Sequence, residues 1–249
     1  MSDSNAESNP TPPKEQPKTF AGRAMRVWRE KVRPLVILVI VLTSFRSAVA
    51  DWNDVPTGSM KPSIVEGDRI FVNKLAYGLK VPFTTIHLAR WNTPARGEVV
   101  VFNSPEGVRL VKRVIGLPGD VIEMRDGVLF INGQRTEYRP SDASWRDVLG
   151  TEERRVNTLK TEVLGAHPHP VMQNQRFWNE RARNYAVRVP EGRYFMMGDN
   201  RDNSRDSRFA EVGMIEVDQI LGRSSRVAMS FDYERWYLPR WERFFKPLP

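Results

Sequence analysis

From Asp51 onward the apolar residues come in short β-branched or aromatic runs, and no long stretch repeats at helical spacing. Arg69-Ile-Phe-Val72, Glu98-Val-Val-Val-Phe102, Leu110–Ile115, Val121–Met124 and Val128-Leu-Phe-Ile131 are such runs, punctuated by Gly, Pro, Asn and Asp. Side chains of this kind suit the pleated surface of a sheet, so this part of the chain reads as β-rich. Asp126-Gly127 makes a good hairpin turn and Asn132-Gly133 a second one, because both residues of each pair tolerate positive φ. Strand character fades over residues 140–185, which are polar and carry Trp145, Phe177 and Trp178 without a strand pattern. It returns at Ala186-Val-Arg-Val189 and Arg193-Tyr-Phe-Met-Met197. The polar stretch therefore reads as an insertion into a catalytic β domain formed by residues 51–139 and 186–229. No internal repeat is present.

The first fifty residues follow another logic. Residues 1–19 are rich in Ser, Asn, Pro, Lys and Glu and hold too little apolar mass to fold alone. A basic stretch follows, and residues 1–33 as a whole are expected to be a disordered, basic segment. Pro34-Leu-Val-Ile-Leu-Val-Ile-Val-Leu42 and the weaker Thr43–Ala50 come next. A membrane span takes ~20 residues, a length reached from Val32 to Ala50 only by including Arg46. An arginine near a helix end can reach the interface, so residues 34–50 are read as a transmembrane anchor. The positive residues before it place the N-terminus in the cytoplasm and everything after residue 50 across the membrane. A cleavable signal peptide ending at Ala48-Val-Ala50 has the same outline. The long basic region and Arg46 favour an uncleaved anchor, and both readings send the rest of the chain to the same side.

Composition removes several chemistries. The chain has no cysteine, hence no disulfide framework, Cys nucleophile or thiolate zinc site. Its three histidines, His87, His167 and His169, leave few candidates for a Ser-His-Asp triad. His167 and His169 lie in Ala166-His-Pro-His-Pro170 with no evident third ligand, so a solvated turn is preferred to a metal site, and neither metal nor cofactor is expected. Of the net charge of +8, residues 1–33 supply three, from seven Lys/Arg against four acids. The rest is scattered and no nucleic-acid motif accompanies it, so an anionic lipid bilayer is the more natural partner.

Three segments carry chemistry. Ser59 sits in Pro56-Thr-Gly-Ser-Met60, a Gly-containing turn of the kind that presents a hydroxyl together with backbone N–H groups. Taken alone, it is an ordinary turn. In Leu110-Val-Lys-Arg-Val-Ile115 alternation puts Lys112 on one face of a strand and Arg113 on the other, so one of the two cations is expected to point toward apolar surroundings. A buried lysine falls from ~10.4 toward the range where it accepts a proton near neutrality; a lysine reaching solvent would be the ordinary alternative. The third segment, Met197-Gly-Asp-Asn-Arg-Asp-Asn-Ser-Arg-Asp-Ser-Arg-Phe209, offers Ser204 to orient an amine. Its Asp199, Asp202 and Asp206 are expected to pair with its own Arg201, Arg205 and Arg208.

P-T-G-S-M, G-D-R-I-F-V-N-K, K-R-V-I-G-L-P-G-D and G-D-N-R-D-N-S-R-D-S-R, in this order, resemble the successive boxes of the bacterial type I signal peptidases. The resemblance covers the anchor and most of residues 51–222, excluding the insertion. It implies an all-β fold of antiparallel sheets behind one N-terminal transmembrane helix. It also implies an inner-membrane serine endopeptidase that removes signal peptides from exported preproteins after small residues at −1 and −3. Ser59 would be the nucleophile and Lys112 the general base. Ser204, Asp206, Asp199 and Arg208 would support the lysine, and the Thr57 hydroxyl with the Ser59 N–H would form the oxyanion hole. Val55, Pro56, Met60, Leu110 and Val111 would line the substrate pocket. Thr57 replaces the usual Ser, and Asn53 stands where an aromatic is common near the −3 pocket. The C-terminal residues 230–249, with Trp236-Tyr-Leu-Pro-Arg-Trp-Glu-Arg-Phe-Phe-Lys246, suit either a membrane-interface belt or a segment packed on the core. Competing functions are a specialised Ser/Lys protease for pilin-like substrates and a silent membrane-anchored binding protein.

Overall fold

The structure, a computed structural model, describes residues 20–84, 86–165, 167–174 and 180–249. Contacts divide the chain at residue 44. The first unit is helical. Helix α1 (Phe20–Val27) runs through a π-helical turn (Trp28–Val32) into α2 (Arg33–Ala48). The disorder expected for the basic segment is thus not found from Phe20 on. Phe20, Ala24, Val27 and Trp28 recur at helical spacing, with Arg26 and Arg29 turned away from them, a pattern that favours a helix. The side chains of Leu35 to Leu42 are all exposed. α2 has 16 residues, roughly 24 Å at the usual rise. Among the described residues no helix is long and apolar enough to cross a membrane.

The second unit is built on antiparallel sheets. Its main sheet contains β1 (Ala50–Asp54), β2 (Asp68–Asn73), β3 (Val99–Asn103), β4 (Arg109–Gly116), β5 (Arg193–Met197), β6 (Ile215–Glu216) and β7 (Ile220–Asp232). They lie side by side in the order β1-β2-β7-β3-β4-β5-β6, and Leu238–Pro239 pairs with β7. Val121–Arg125 and Val128–Ile131 form a hairpin closed by Asp126-Gly127, both at positive φ, and Asn132-Gly133 turns the chain into Gln134–Arg135 as expected.

β7 is the long strand that periodicity did not reveal. Arg223-Ser-Ser-Arg226 interrupts its apolar pattern, and register shifts beside Gly222, Arg226 and Met229 break its alternation. β1 begins at Ala50, paired with Asn73, so the helix stops at Ala48 instead of continuing to residue 50.

The insertion is not strandless. Glu137–Pro140, Asn157–Leu164 and His167–Asn174 form a three-stranded antiparallel sheet, so its boundary lies before residue 140. Glu162 occupies a buried position that an apolar residue would ordinarily mark, and Pro168 and Pro170 argue against a strand except at a sheet edge, where they lie. Trp145 packs on Leu149, Leu159 and Met172; Phe177 and Trp178 lie outside the described residues.

The core occupies both faces of β3 and β4. Val100, Phe102 and Val114 pack with Met196, Ile215 and Ile220. Val99 and Val101 face the other way, toward Met60, Ile64, Ile70 and Val72. The C-terminal segment docks on this body. Val227 N–H donates to Lys246 O, Leu248 N–H to Ser225 O, and buried Arg243 donates to both oxygens of buried Asp68 at 2.9 and 2.6 Å. Trp236, Tyr237, Trp241 and Phe245 nonetheless remain exposed.

Removing one partner of a buried ion pair strands the other, which costs about 3–5 kcal/mol. Asp68→Asn should therefore lower the unfolding free energy by that amount in a urea titration. A loss no larger than a surface substitution would show that the C-terminal segment is not held by this pair.

Candidate active site

Residues Gly58–Met60 form a single 3₁₀ turn after extended Thr57. Met60, completely buried among Ile64, Ile70 and Val72, anchors the turn and leaves Ser59 half-buried at its apex. Asn200 holds it from the other side: its N–H donates to Ser59 O at 3.1 Å and its side-chain amide to Gly58 O at 3.0 Å. Asn200 was not singled out from the sequence, where one amide in a polar stretch carries no signal.

Lys112 on β4 reaches this turn. Its Nζ lies 2.7 Å from Ser59 Oγ and 2.9 Å from Val111 O, and the residue is 2% exposed. Burial pushes the ammonium down to about 8, against the upward pull of the Asp206 and Asp199 carboxylates, while Arg208 adds to the depression. The lysine is thus close to giving up its proton near neutrality, with a hydroxyl within hydrogen-bond reach.

Only one of the two β4 cations was expected to be buried, and both are. β4 has core on both faces, so Arg113 is fully buried on the side opposite Lys112. It grips Asp199 with two bonds of 2.8 and 2.7 Å and donates to Gly97 O and Pro249 O. Burial alone would raise Asp199; Arg113 outweighs it and keeps the carboxyl below its usual range. Ser63 donates to the same carboxylate.

The Asp/Arg-rich segment pairs outward more than with itself. Asp206 and Arg208 are the expected internal pair, joined at 2.8 and 2.9 Å, and Gly198 N–H also donates to Asp206. Burial would raise Asp206, but Arg208 holds it low. Asp199 instead takes Arg113, Asp202 takes Arg183 at 2.8 Å, and Arg201 takes Glu162 of the insertion. Arg205 is exposed. An (i, i+2) spacing within a winding loop cannot point every Asp at the nearest Arg, whereas neighbouring strands offer complementary charges at fixed positions.

Ser204 is buried, and its hydroxyl makes no hydrogen bond to Lys112, which donates instead to Ser59 and Val111. Ser204 and Ser59 are close neighbours all the same: a Cβ added to Gly198 would collide with both Ser204 Oγ and Ser59 O. Thr57 is exposed, next to the turn.

Of the five pocket residues, Val55, Met60 and Val111 meet in one cluster. Pro56 is exposed and Val111 half-buried, but Val55 and Met60 are core residues, and Leu110 packs on the opposite side of β4 from Val111. Half-buried Asn53 accepts a 3.0 Å bond from Arg109.

The His-Pro-His stretch is not a solvated turn. It is an edge strand whose His169 is 1% exposed, with Nε2 3.3 Å from Glu162 Oε2, while His167 is exposed. Among the described residues no cluster of His, Asp or Glu could hold a metal.

Residues 28–229 match the family model for signal peptidase, peptidase S26. The chain is 37% identical over 227 residues to the signal peptidase I of Pseudomonas fluorescens, covering 84% of this chain and 75% of that protein. It is 35% identical over 225 residues to the signal peptidase I of Pseudomonas aeruginosa, with the same coverage, and 31% identical over 224 residues to that of Rickettsia bellii, covering 82% of this chain and 74% of the relative.

Two outcomes follow from the geometry. Gly198→Ala forces Ser59 and Ser204 apart, so it should abolish turnover by the protein while far-ultraviolet circular dichroism stays that of a β fold; a variant with normal turnover would mean the turn has slack. Lys112→Met removes a group whose folded-state pKa is lowered. Below pH 8 the lysine is charged both folded and unfolded, and its burial penalty is fully felt; between about 8 and 10.5 the penalty fades. The stability of the variant relative to the parent should therefore be greater by on the order of 3 kcal/mol below pH 8 than above pH 10.5. A difference independent of pH from 7 to 10 would contradict the depressed pKa.

Proposed function

The chain belongs to the signal peptidase family, peptidase S26, and as such is a serine endopeptidase that removes signal peptides; we propose that it does so with Ser59 as nucleophile and Lys112 as general base. The observation carrying this reading is the 2.7 Å contact between Ser59 Oγ and a buried lysine whose ammonium is pushed down to about 8. Neutral Lys112 takes the Ser59 proton as Oγ attacks the carbonyl carbon of the residue at −1. The Ser59 N–H and Thr57 hydroxyl meet the developing oxyanion, and protonated Lys112 then gives its proton to the leaving amine. The acyl group left on Ser59 is released by water activated by the same lysine. Asp206 and Asp199 limit how far the lysine pKa falls, and the Arg208 and Arg113 pairs keep those carboxylates ionised.

The substrates are preproteins with small residues at −1 and −3, and the enzyme sits on the extracytoplasmic side of the inner membrane with its N-terminus in the cytoplasm. Support for the anchor comes from the exposed apolar side chains of Leu35 to Leu42 behind the basic α1. Support for an interfacial C-terminal belt comes from Trp236, 95% exposed, and its exposed neighbours Tyr237 and Trp241. No observation favours a narrower, pilin-like substrate class.

With Lys112 as the base, kcat/KM for a peptide carrying Ala at −1 and −3 should climb about tenfold per pH unit below pH 8 and level above it. Ser59→Ala and Lys112→Arg should both be inactive, the latter because a guanidinium stays protonated. A flat profile from pH 6 to 9, or turnover by either variant, would remove the Ser–Lys assignment.

A further inference from the structure

Two of the contacts between the insertion and the site are made by buried or half-buried acids of the insertion, beside the pairing of Arg183 with Asp202. Tyr138, Glu162 and His169 are direct cross-strand partners on the three strands of the insertion sheet, so their side chains form one row on one face. That row receives the Arg201 guanidinium. Glu162 accepts from Arg201 Nη1 at 2.8 Å and from Nη2, Tyr138 OH donates to Glu162 at 2.6 Å, and His169 flanks it. Glu162 and Arg201 are fully buried or nearly so, and burial would raise the carboxyl had Arg201 not held it far below its usual range.

The edge strand of the same sheet then grips the backbone on both sides of Asn200. Met172 N–H donates to Asp199 O and Arg201 N–H to Met172 O, each at 2.8 Å. Asn200, fixed between these two bonds, turns its own N–H and side-chain amide to Ser59 O and Gly58 O. From Arg201 the support also runs onward: its carbonyl accepts Arg208 Nη2 at 2.6 Å, and Arg208 holds Asp206. The second point is Lys61, two residues after Ser59. Its ammonium is shared between Glu66 at 2.8 Å and Glu153 of the insertion at 2.7 Å.

We propose that the insertion is a positioning clamp for the nucleophile turn, in which Glu162 acts through Arg201 and Asn200, and Glu153 acts through Lys61. The inference rests on the assignment of Ser59 and Lys112. Neither glutamate touches those two side chains; both act by fixing the segments that flank Ser59. Displacement of a nucleophile by about 1 Å costs up to about a hundredfold in rate, so a clamp of this kind bears on kcat more than on substrate affinity.

The full-length protein tests this with a peptide carrying Ala at −1 and −3. Glu162→Gln should lower kcat by about ten- to a hundredfold with KM within about twofold. Amide exchange should quicken at Asn200 and Arg201, while Val100 and Lys112 in the main sheet keep their protection. Glu162→Gln combined with Asn200→Ala should lose much less than the product of the single losses, because both break the same path. Glu152→Gln, an exposed change on the same insertion, should behave as the parent. If Glu162→Gln loses the fold as a whole, Tyr138→Phe removes only the phenol's bonds to Glu162 and from Leu129 N–H, and Glu153→Gln removes only the charge that faces Lys61. Each should then give a smaller fall in kcat, with faster Asn200 exchange for Tyr138→Phe. Unchanged kcat together with unchanged Asn200 exchange would overturn the clamp, as would a loss confined to KM. The dyad is judged separately: an active Ser59→Ala removes the dyad, whereas an inactive Ser59→Ala beside a normal Glu162→Gln removes only the clamp.

Discussion

Two adjacent cations on a strand with core on both faces set the terms for the whole site. Lys112 and Arg113 cannot both turn to water, because β4 is covered on one side by Val100, Phe102 and Met196 and on the other by Ile122 and Phe195. A guanidinium cannot shed its charge, so Arg113 needs a carboxylate and takes Asp199 with a bidentate grip. An ammonium can shed it, so Lys112 needs only a polar neighbour, and Ser59 supplies it. The same burial penalty thus gives a fixed structural pair on one face of β4 and a proton acceptor on the other.

The Asp/Arg-rich segment is the part of the chain that joins these faces. Three of its six charges are spent on other elements: Asp199 on Arg113 in β4, Asp202 on Arg183 near the end of the insertion, and Arg201 on Glu162 within it. Buried ion pairs are weak sources of net stability, because desolvation offsets most of their attraction. What they confer here is position, since each pair has one geometry that satisfies both partners. Gly198 and Asn200, which carry no charge, are placed by these pairs against the backbone of Ser59.

The C-terminal segment combines both readings of its composition. Its cations are divided, Arg243 being buried on Asp68 while Arg240 donates to Phe231 O. Its aromatics are divided too: Phe244 stacks against Phe231 and Trp241, and Trp236 stays in solvent. A segment can dock on a core through one set of side chains and still expose another, because its 3₁₀ turns and the positive-φ bends at Trp236, Tyr237 and Phe245 send side chains in different directions.

Local chemistry is what the sequence determined by itself. The β runs at 69–72, 98–102, 110–115, 121–124 and 128–131 appear within a residue or so of their expected limits, since β-branched residues and Asp-Gly or Asn-Gly turns act over a few residues. Ser59 sits in a turn that is ordinary taken alone, and it was the resemblance of its motif and that of Lys112 to a family's successive boxes that joined the two as candidates. Tertiary structure alone decided the rest. β7 was hidden because bulges shift its alternation, and the insertion strands were hidden by a buried Glu162 and by prolines that only an edge strand accommodates. The partners of Asp199, Asp202 and Arg201 lie 86, 19 and 39 residues away along the chain, and no local spacing encodes a pairing that depends on how separate sheets meet. The pocket residues divided between surface and core for the same reason: a side chain's neighbours are set by both faces of its strand, and sequence alternation names the faces without saying what covers each.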